Sequence, residues 1–168
     1  MALLSHEFNN LRDLFVEQLQ DMYDAENRLV DALPKMADAA SSSQLSQAFR
    51  EHEQQTREHV RRLEQVFQRI GIEAERETCK AMKGLISEGE DMISAKGDGA
   101  TRDAALIGAA QKVEHYEIAS YGTLRSFAQT LGMSDVASIL QQTLDEEGMT
   151  DKKLTQIAES NLNPQAAH

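Results

Sequence analysis

This chain has little of what most folds use to staple, break or cross. It holds one cysteine, Cys79, two prolines and no tryptophan among 168 residues. A lone cysteine excludes an internal disulfide and fits a reducing compartment. With 5% aromatics and no alternating apolar pattern, nothing in it reads as a strand. No apolar run approaches the roughly 20 residues of a membrane span, so no membrane partner is expected. The opening MALLSHEFNN has neither a basic start nor a long apolar stretch, so no secretory signal is read and the cytoplasm is the expected location. Positive charge is short as well: 17 basic residues face 28 acidic ones, a net charge of -11. That excludes autonomous nucleic-acid binding, which needs a basic surface against phosphate, and suits a protein that attracts cations.

What is abundant is Ala, Leu, Glu and Gln, the composition of an all-α protein, in a chain long enough for one domain with a full core. Leu11, Phe15, Leu19, Met22, Leu29, Leu33 and Ala37 recur at helical spacing and predict a first helix over about 10–40, with Pro34 kinking it or loosening one backbone bond. Serines 41–43 supply an N-cap for a second helix, about 44–70, which Gly71 closes. A shorter amphipathic helix over about 77–95 carries Cys79, Met82, Ile86 and Ile93 on one side and is expected to cover a bundle face or a subunit partner. After the break at 96–99, helices are predicted over about 101–131 and 135–161, with Gly132 between them and Ser134 or Asp135 capping the last. The tail, 163–168, reads as frayed.

Chemistry interrupts the apolar stripes. At about 100° per residue, Glu26 falls in the centre of the first stripe, Glu114 and Glu117 in that of the 101–131 helix, and Glu147 in that of the last. The second helix places His52, Gln55, Thr56 and His59 there instead. Asp24 points the opposite way from Glu26, His115 falls on a far side, and Asp145 and Glu146 face more outward. Antiparallel pairing about the turns at 42 and 132–133 sets Glu26 between Thr56 and His59, Glu117 beside Glu147, and Glu114 near Asp151, to within about 5 Å. Thr150 and Asp151 lie one turn beyond Glu147 on the same side. His52 and His59 are about 10 Å apart along the helix, so one of them is expected to be a ligand. Buried carboxylates need partners, and several converging with imidazole and no thiolate point to Fe or Mn, with Zn as a weaker fit. Two ions sharing carboxylates need about four Glu and one or two His, which this set supplies. Each residue alone has an ordinary reading: a carboxylate paired with Tyr or Thr, a satisfied core histidine, Tyr23 and Tyr121 as packing.

The segments 102–124 (RDAALIGAAQKVEHYEIASYGTL), 23–36 (YDAENRLVDALPKM), 79–86 (CKAMKGLI) and 144–154 (LDEEGMTDKKL) carry a resemblance over nearly the whole chain. The chain resembles the YciF/YciE-like bacterial stress-protein family of the ferritin-like, rubrerythrin-related superfamily. The resemblance implies a ferritin-like antiparallel four-helix bundle with an additional short helix between the two hairpins, that helix lying at a homodimer interface. It implies bacterial origin and induction under stress. Relatives tend to carry Glu where this chain has Gln55, and Gln where it has His59, which exchanges a carboxylate for an imidazole on the second helix.

Together these readings give two ions of Fe or Mn per chain held by Glu26, His52 or His59, Glu114, Glu117 and Glu147, with Tyr23, Gln55, Thr56, Tyr121, Thr150 and Asp151 behind them. The expected activity is peroxide decomposition or ferrous oxidation, with peroxide or oxygen as the small partner. Two alternatives stay open: a non-catalytic stress-induced dimer whose polar core is vestigial and which acts through a partner, and a metal-storing cage, which the intervening helix disfavours.

Overall fold

The computed structural model describes residues 7–168. Most of the N-terminal stretch read for a secretory signal lies outside them. The elements are α1 (Leu11–Ala39), α2 (Ser43–Ile70), α3 (Lys80–Ser94), α4 (Gly99–Thr130) and α5 (Ser134–Ile157), followed by a π-helical turn (Ala158–Leu162) and α6 (Asn163–Ala166). There is no strand among the described residues, and no helix among them is long and apolar enough to cross a membrane. The chain folds as an antiparallel four-helix bundle: α1 packs along α2, α4 along α5, and the hairpins meet through α2 with α5 and α1 with α4. The short α3 lies across α1 and α4.

Local chemistry explains the breaks. Asn10, Ser42, Cys79 and Asp98 each accept a backbone N–H from the first turn of the helix they open, satisfying a donor the helix itself cannot. Gly71 closes α2 at φ 75°, and Ile72 N–H reaches back to Phe67 O at 3.1 Å. Gly132 repeats the device at φ 76°, with Met133 N–H donating to Ala128 O at 2.9 Å. Such left-handed positions suit glycine because no Cβ meets the carbonyl. Neither Ser134 nor Asp135 caps α5; the cap position is Met133, without a side-chain bond. Cys79 likewise caps α3 and does not lie within it, so that helix begins at Lys80. The helix α1 runs on past Pro34 to Ala39. The tail is more ordered than its composition suggests: Leu162 is buried and α6 follows it.

Two buried aspartates tie the connections to the bundle. Asp103 of α4 accepts the backbone N–H groups of Ser41 and Ser42 at 2.8 and 2.7 Å, fixing the turn between α1 and α2. Asp24 of α1 accepts Arg28 Nε at 2.5 Å, Arg76 Nε at 2.9 Å and Cys79 N–H at 2.9 Å, anchoring the segment that leads into α3. Burial drives the Asp24 carboxyl up, but Arg28, the Cys79 N–H and Arg76 together hold it below its ordinary value. Asp24 does point away from Glu26, yet it is buried, because α3 and its leading segment cover a second face of α1.

Candidate metal centre

Each helix of the bundle brings its acids inward by the same rule: a residue central to an apolar stripe must face the axis. Glu26 comes from α1, His52 and His59 from α2, Glu114 and Glu117 from α4, and Glu147 from α5. All six are buried, none more than 4% exposed. One constellation joins His52, Glu114, Glu117 and Glu147; a second joins Glu26, His59 and Glu147. In each, the donor atoms lie within 4.8 Å of one another, as a metal ion would require. Glu147 belongs to both.

The imidazoles occupy the two ends of this elongated pocket. His52 Nε2 is 3.0 Å from Glu114 Oε1. His59 Nδ1 is 2.9 Å from Glu147 Oε1 and 3.4 Å from Glu26 Oε1. Both histidines therefore face the cluster, where the sequence suggested one. The reason is length: two turns of helix separate them along the axis, and the pocket spans that distance with Glu147 between.

Proximity here is not satisfaction. Glu117 has no hydrogen-bond partner at either oxygen, nor has Glu147; the same holds for Glu26 Oε2, Glu114 Oε2, both His52 nitrogens and His59 Nδ1. Buried polar atoms are otherwise nearly always bonded, so this concentration of orphans is far from ordinary. The electrostatics agree. Burial, then the Glu147, Glu26 and Glu114 carboxylates, raise Glu117 well above its ordinary value. Glu147 rises to about 7, driven up by burial and by Glu114 and Glu26 although His59 pulls it back. Burial disfavours a charged His52, yet Glu114 and then Glu147 lift it to about 9. Burial opposes a charged His59 too, but Glu147 and Glu26 outweigh it and carry the imidazole to about 11. The pocket is a negative well that protons fill when nothing else does.

The donor set fits divalent Fe or Mn. It is carboxylate-rich with imidazole and no thiolate, the preference of borderline and hard ions. Its two constellations share one carboxylate, the arrangement two neighbouring ions need.

The remaining predicted residues separate into near and far. The Tyr121 hydroxyl donates a short hydrogen bond to Glu26 Oε1, and its ring lies edge-on to His59 at 6.4 Å. Gln55 and Thr150 line a cavity that His52 also lines. Thr56 is buried, but its hydroxyl donates to His52 O at 2.9 Å, closing its own helix turn. Tyr23 turns away to Glu64 (2.9 Å) and packs on Phe67. Asp151 lies outside the cluster, accepting Gln111 Nε2 at 3.1 Å and facing His115 at 3.3 Å.

Glu146, expected to face outward, reaches inward instead. It meets His59 Nε2 at 2.8 Å, while Arg62 grips its two oxygens at 2.7 and 2.8 Å. Arg62 above all, against some burial, holds the Glu146 carboxyl below its ordinary value and keeps it an acceptor. An ionised Glu146 holds a proton on Nε2, so Nδ1, which faces Glu26 and Glu147, is the nitrogen that would give up its proton to bind a metal. A carboxylate behind a histidine orients the ring and raises its basicity as a ligand. Glu146→Ala is therefore expected to weaken Mn(II) binding by about 10- to 100-fold, read by competitive titration with a chelating dye. Asp145→Ala, which removes a neighbouring carboxylate that does not touch the cluster, should leave the affinity within error.

Comparison with known proteins matches the chain to a family. The family model described as "Domain of unknown function (DUF892)" matches residues 10–167. Protein YciF of Escherichia coli K12 is 46% identical over 157 residues, covering 93% of this chain and 95% of that protein. The crystal structure of the E. coli stress protein YciF superposes with a TM-score of 0.90, covering 93% of this chain and 99% of that one. YcfI of Rhodopseudomonas palustris is 38% identical with a TM-score of 0.89, covering 93% and 99%. A protein of Xanthomonas campestris, 21% identical with a TM-score of 0.73 over 90% of this chain and 93% of that one, shares the fold.

Proposed function

The chain belongs to the DUF892 family, and from that premise we propose that it is a ferritin-like di-metal carboxylate protein that handles oxidants or metal in stressed cells. The observation that carries this reading is the set of unpartnered buried donors, contributed by all four bundle helices, that two ions would satisfy at once. One ion position draws on His52, Glu114 and Glu117, the other on His59 and Glu26, with Glu147 common to both. A bound pair of Fe or Mn ions would supply redox chemistry for peroxide decomposition, in which one peroxide takes two electrons and a second returns them, or for oxidation of Fe(II) by dioxygen or peroxide. The chain's own part is to hold the donors rigid, neutralise the ions with carboxylates and exclude bulk water. Tyr121 keeps Glu26 oriented through its hydroxyl.

A homodimer formed through α3 is part of the same reading. It is supported by the apolar groove between α1, α3 and α4, where Leu85, Ile86 and Ile93 stay partly open. Light scattering on the purified chain separates a dimer from a cage.

The decisive experiment is metal analysis after anaerobic loading with Fe(II) or Mn(II), followed by a peroxide-consumption assay. Close to two ions per chain and metal-dependent consumption are expected. Fewer than one ion per chain with either metal would leave the vestigial-core alternative standing and remove this one.

A further inference from the structure

The cluster is sealed from water, yet a reactant has to enter it, and one opening reaches a donor. A cavity of about 150 Å³ lies between α2 and α5 and is lined by His52. His52 is more than nine-tenths buried; its Nδ1 has no hydrogen-bond partner, and its Nε2 faces Glu114 Oε1 at 3.0 Å. Gln55 from α2 and Thr150 from α5 flank the way in. Met149 stands at the rim, 58% exposed. Across the rim, Lys153 Nζ meets Glu51 Oε2 at 2.5 Å, tying the two helices by an exposed ion pair.

Size and charge say what such a mouth admits. At about 150 Å³ the cavity matches in volume one that takes a single benzene. Dioxygen and hydrogen peroxide fit with room to spare; cumene hydroperoxide, larger than benzene by a branched hydroperoxide group, does not. The charges of Glu51 and Lys153 cancel, so the rim offers no field to draw an ion of either sign, while the chain's net charge of -11 repels anions. From these observations we infer that the α2–α5 mouth is the route by which small neutral oxidants reach the His52 end of the cluster, with Gln55 and Thr150 setting the size limit. This rests on the metal reading above, but its first test does not.

Dissolved dioxygen is itself the probe. In metal-free protein under oxygen pressure, NMR relaxation of the His52 ring and Ala48 methyl protons is expected to be strongly enhanced, and that of the His59 ring little. Thr150→Trp should cut the enhancement at His52 several-fold; Gln55→Trp, from the opposite helix, does the same if the first variant folds poorly. In protein loaded with Fe(II) or Mn(II), the same variants should slow hydrogen peroxide consumption several-fold at unchanged metal content. Lys153→Ala, which unties the rim, should raise the rate with cumene hydroperoxide relative to hydrogen peroxide. No enhancement at His52 in the wild type, or enhancement that both Trp variants leave intact, overturns the mouth even if the metal chemistry stands. Enhancement that the Trp variants abolish in a chain that binds no metal upholds the mouth and removes the metal reading instead.

Discussion

Glu117→Gln should make the metal-free protein more stable and deprive it of what it gains from metal. Glu117 is fully buried and neither of its oxygens has a partner. It faces Glu147, Glu26 and Glu114 across a water-free pocket, and burial with those neighbours raises it well above its ordinary value. An amide of the same shape is neutral without having to take up a proton, and offers two N–H donors to the carboxylate oxygens around it that lack one. Relief of an uncompensated buried carboxylate is worth about 1–3 kcal/mol. In a chain of this length each kcal/mol moves the melting temperature by about 2–4 °C. Loading reverses the order. An ion at a thousand times its dissociation constant adds about 4 kcal/mol to the wild type, and the amide, a poor ligand, forfeits most of that. Thermal melts with chelator and with Mn(II), on both proteins, should therefore cross. A variant that melts lower than wild type in chelator would mean that Glu117 has a structural partner after all. A variant that gains from Mn(II) as wild type does would mean that it is not a ligand.

The bundle and most of the cluster were legible because both follow from one periodicity. Seven apolar positions from Leu11 to Ala37 define a stripe, and Glu26 sits inside it; the same reasoning places Glu114, Glu117 and Glu147. Ser42, Gly71 and Gly132 were legible as punctuation because their cap chemistry is local. What escaped were residues whose burial depends on a second face. Asp24 and Asp103 lie off the stripes yet are buried, since α3 and the connections cover α1 and α4 from the other side. For Asp24 a signal existed: Arg28, four residues on, is its partner. For Asp103 none did, because Ser41 and Ser42 lie about sixty residues away. Glu146 escaped for another reason. Its Cα faces partly outward, but a long side chain bends toward Arg62 and His59 across the α2–α5 contact, and stripe membership says nothing of where a flexible carboxylate ends. Tyr23 and Asp151 err in the other direction: each lies near a stripe edge and finds a partner outside the pocket.

The metal-free protein should lose stability as the solution turns from mildly acidic to alkaline, against the habit of most proteins. Four groups set this sign, Glu117 among them, whose carboxyl is raised well above its ordinary value by burial and the neighbouring carboxylates. Glu147 has its folded value raised to about 7 from an ordinary 4.5, so between those values the folded state binds more protons than the unfolded one and stability falls as pH rises. His52 is raised from 6.5 to about 9 and His59 from 6.5 to about 11. Each histidine's contribution is complete below its unfolded value and is lost as pH climbs through its folded one. For Glu147 or His52 taken alone the shift corresponds to about 3 kcal/mol, and because the four groups share one field their total is less than the sum. Asp24 acts oppositely: its lowered carboxyl gives stability that is present above its unfolded value and disappears only as strong acid protonates it. The optimum for the metal-free chain therefore falls near about pH 5. Divalent ions displace the protons from the same atoms, so their binding strengthens as pH rises. Urea unfolding at mildly acidic, neutral and alkaline pH should show a falling stability in chelator and a flat or rising one in Mn(II). A chelated protein most stable at neutral to alkaline pH would show that the cluster's charges are already balanced within the fold, leaving no deficit for a cation to fill.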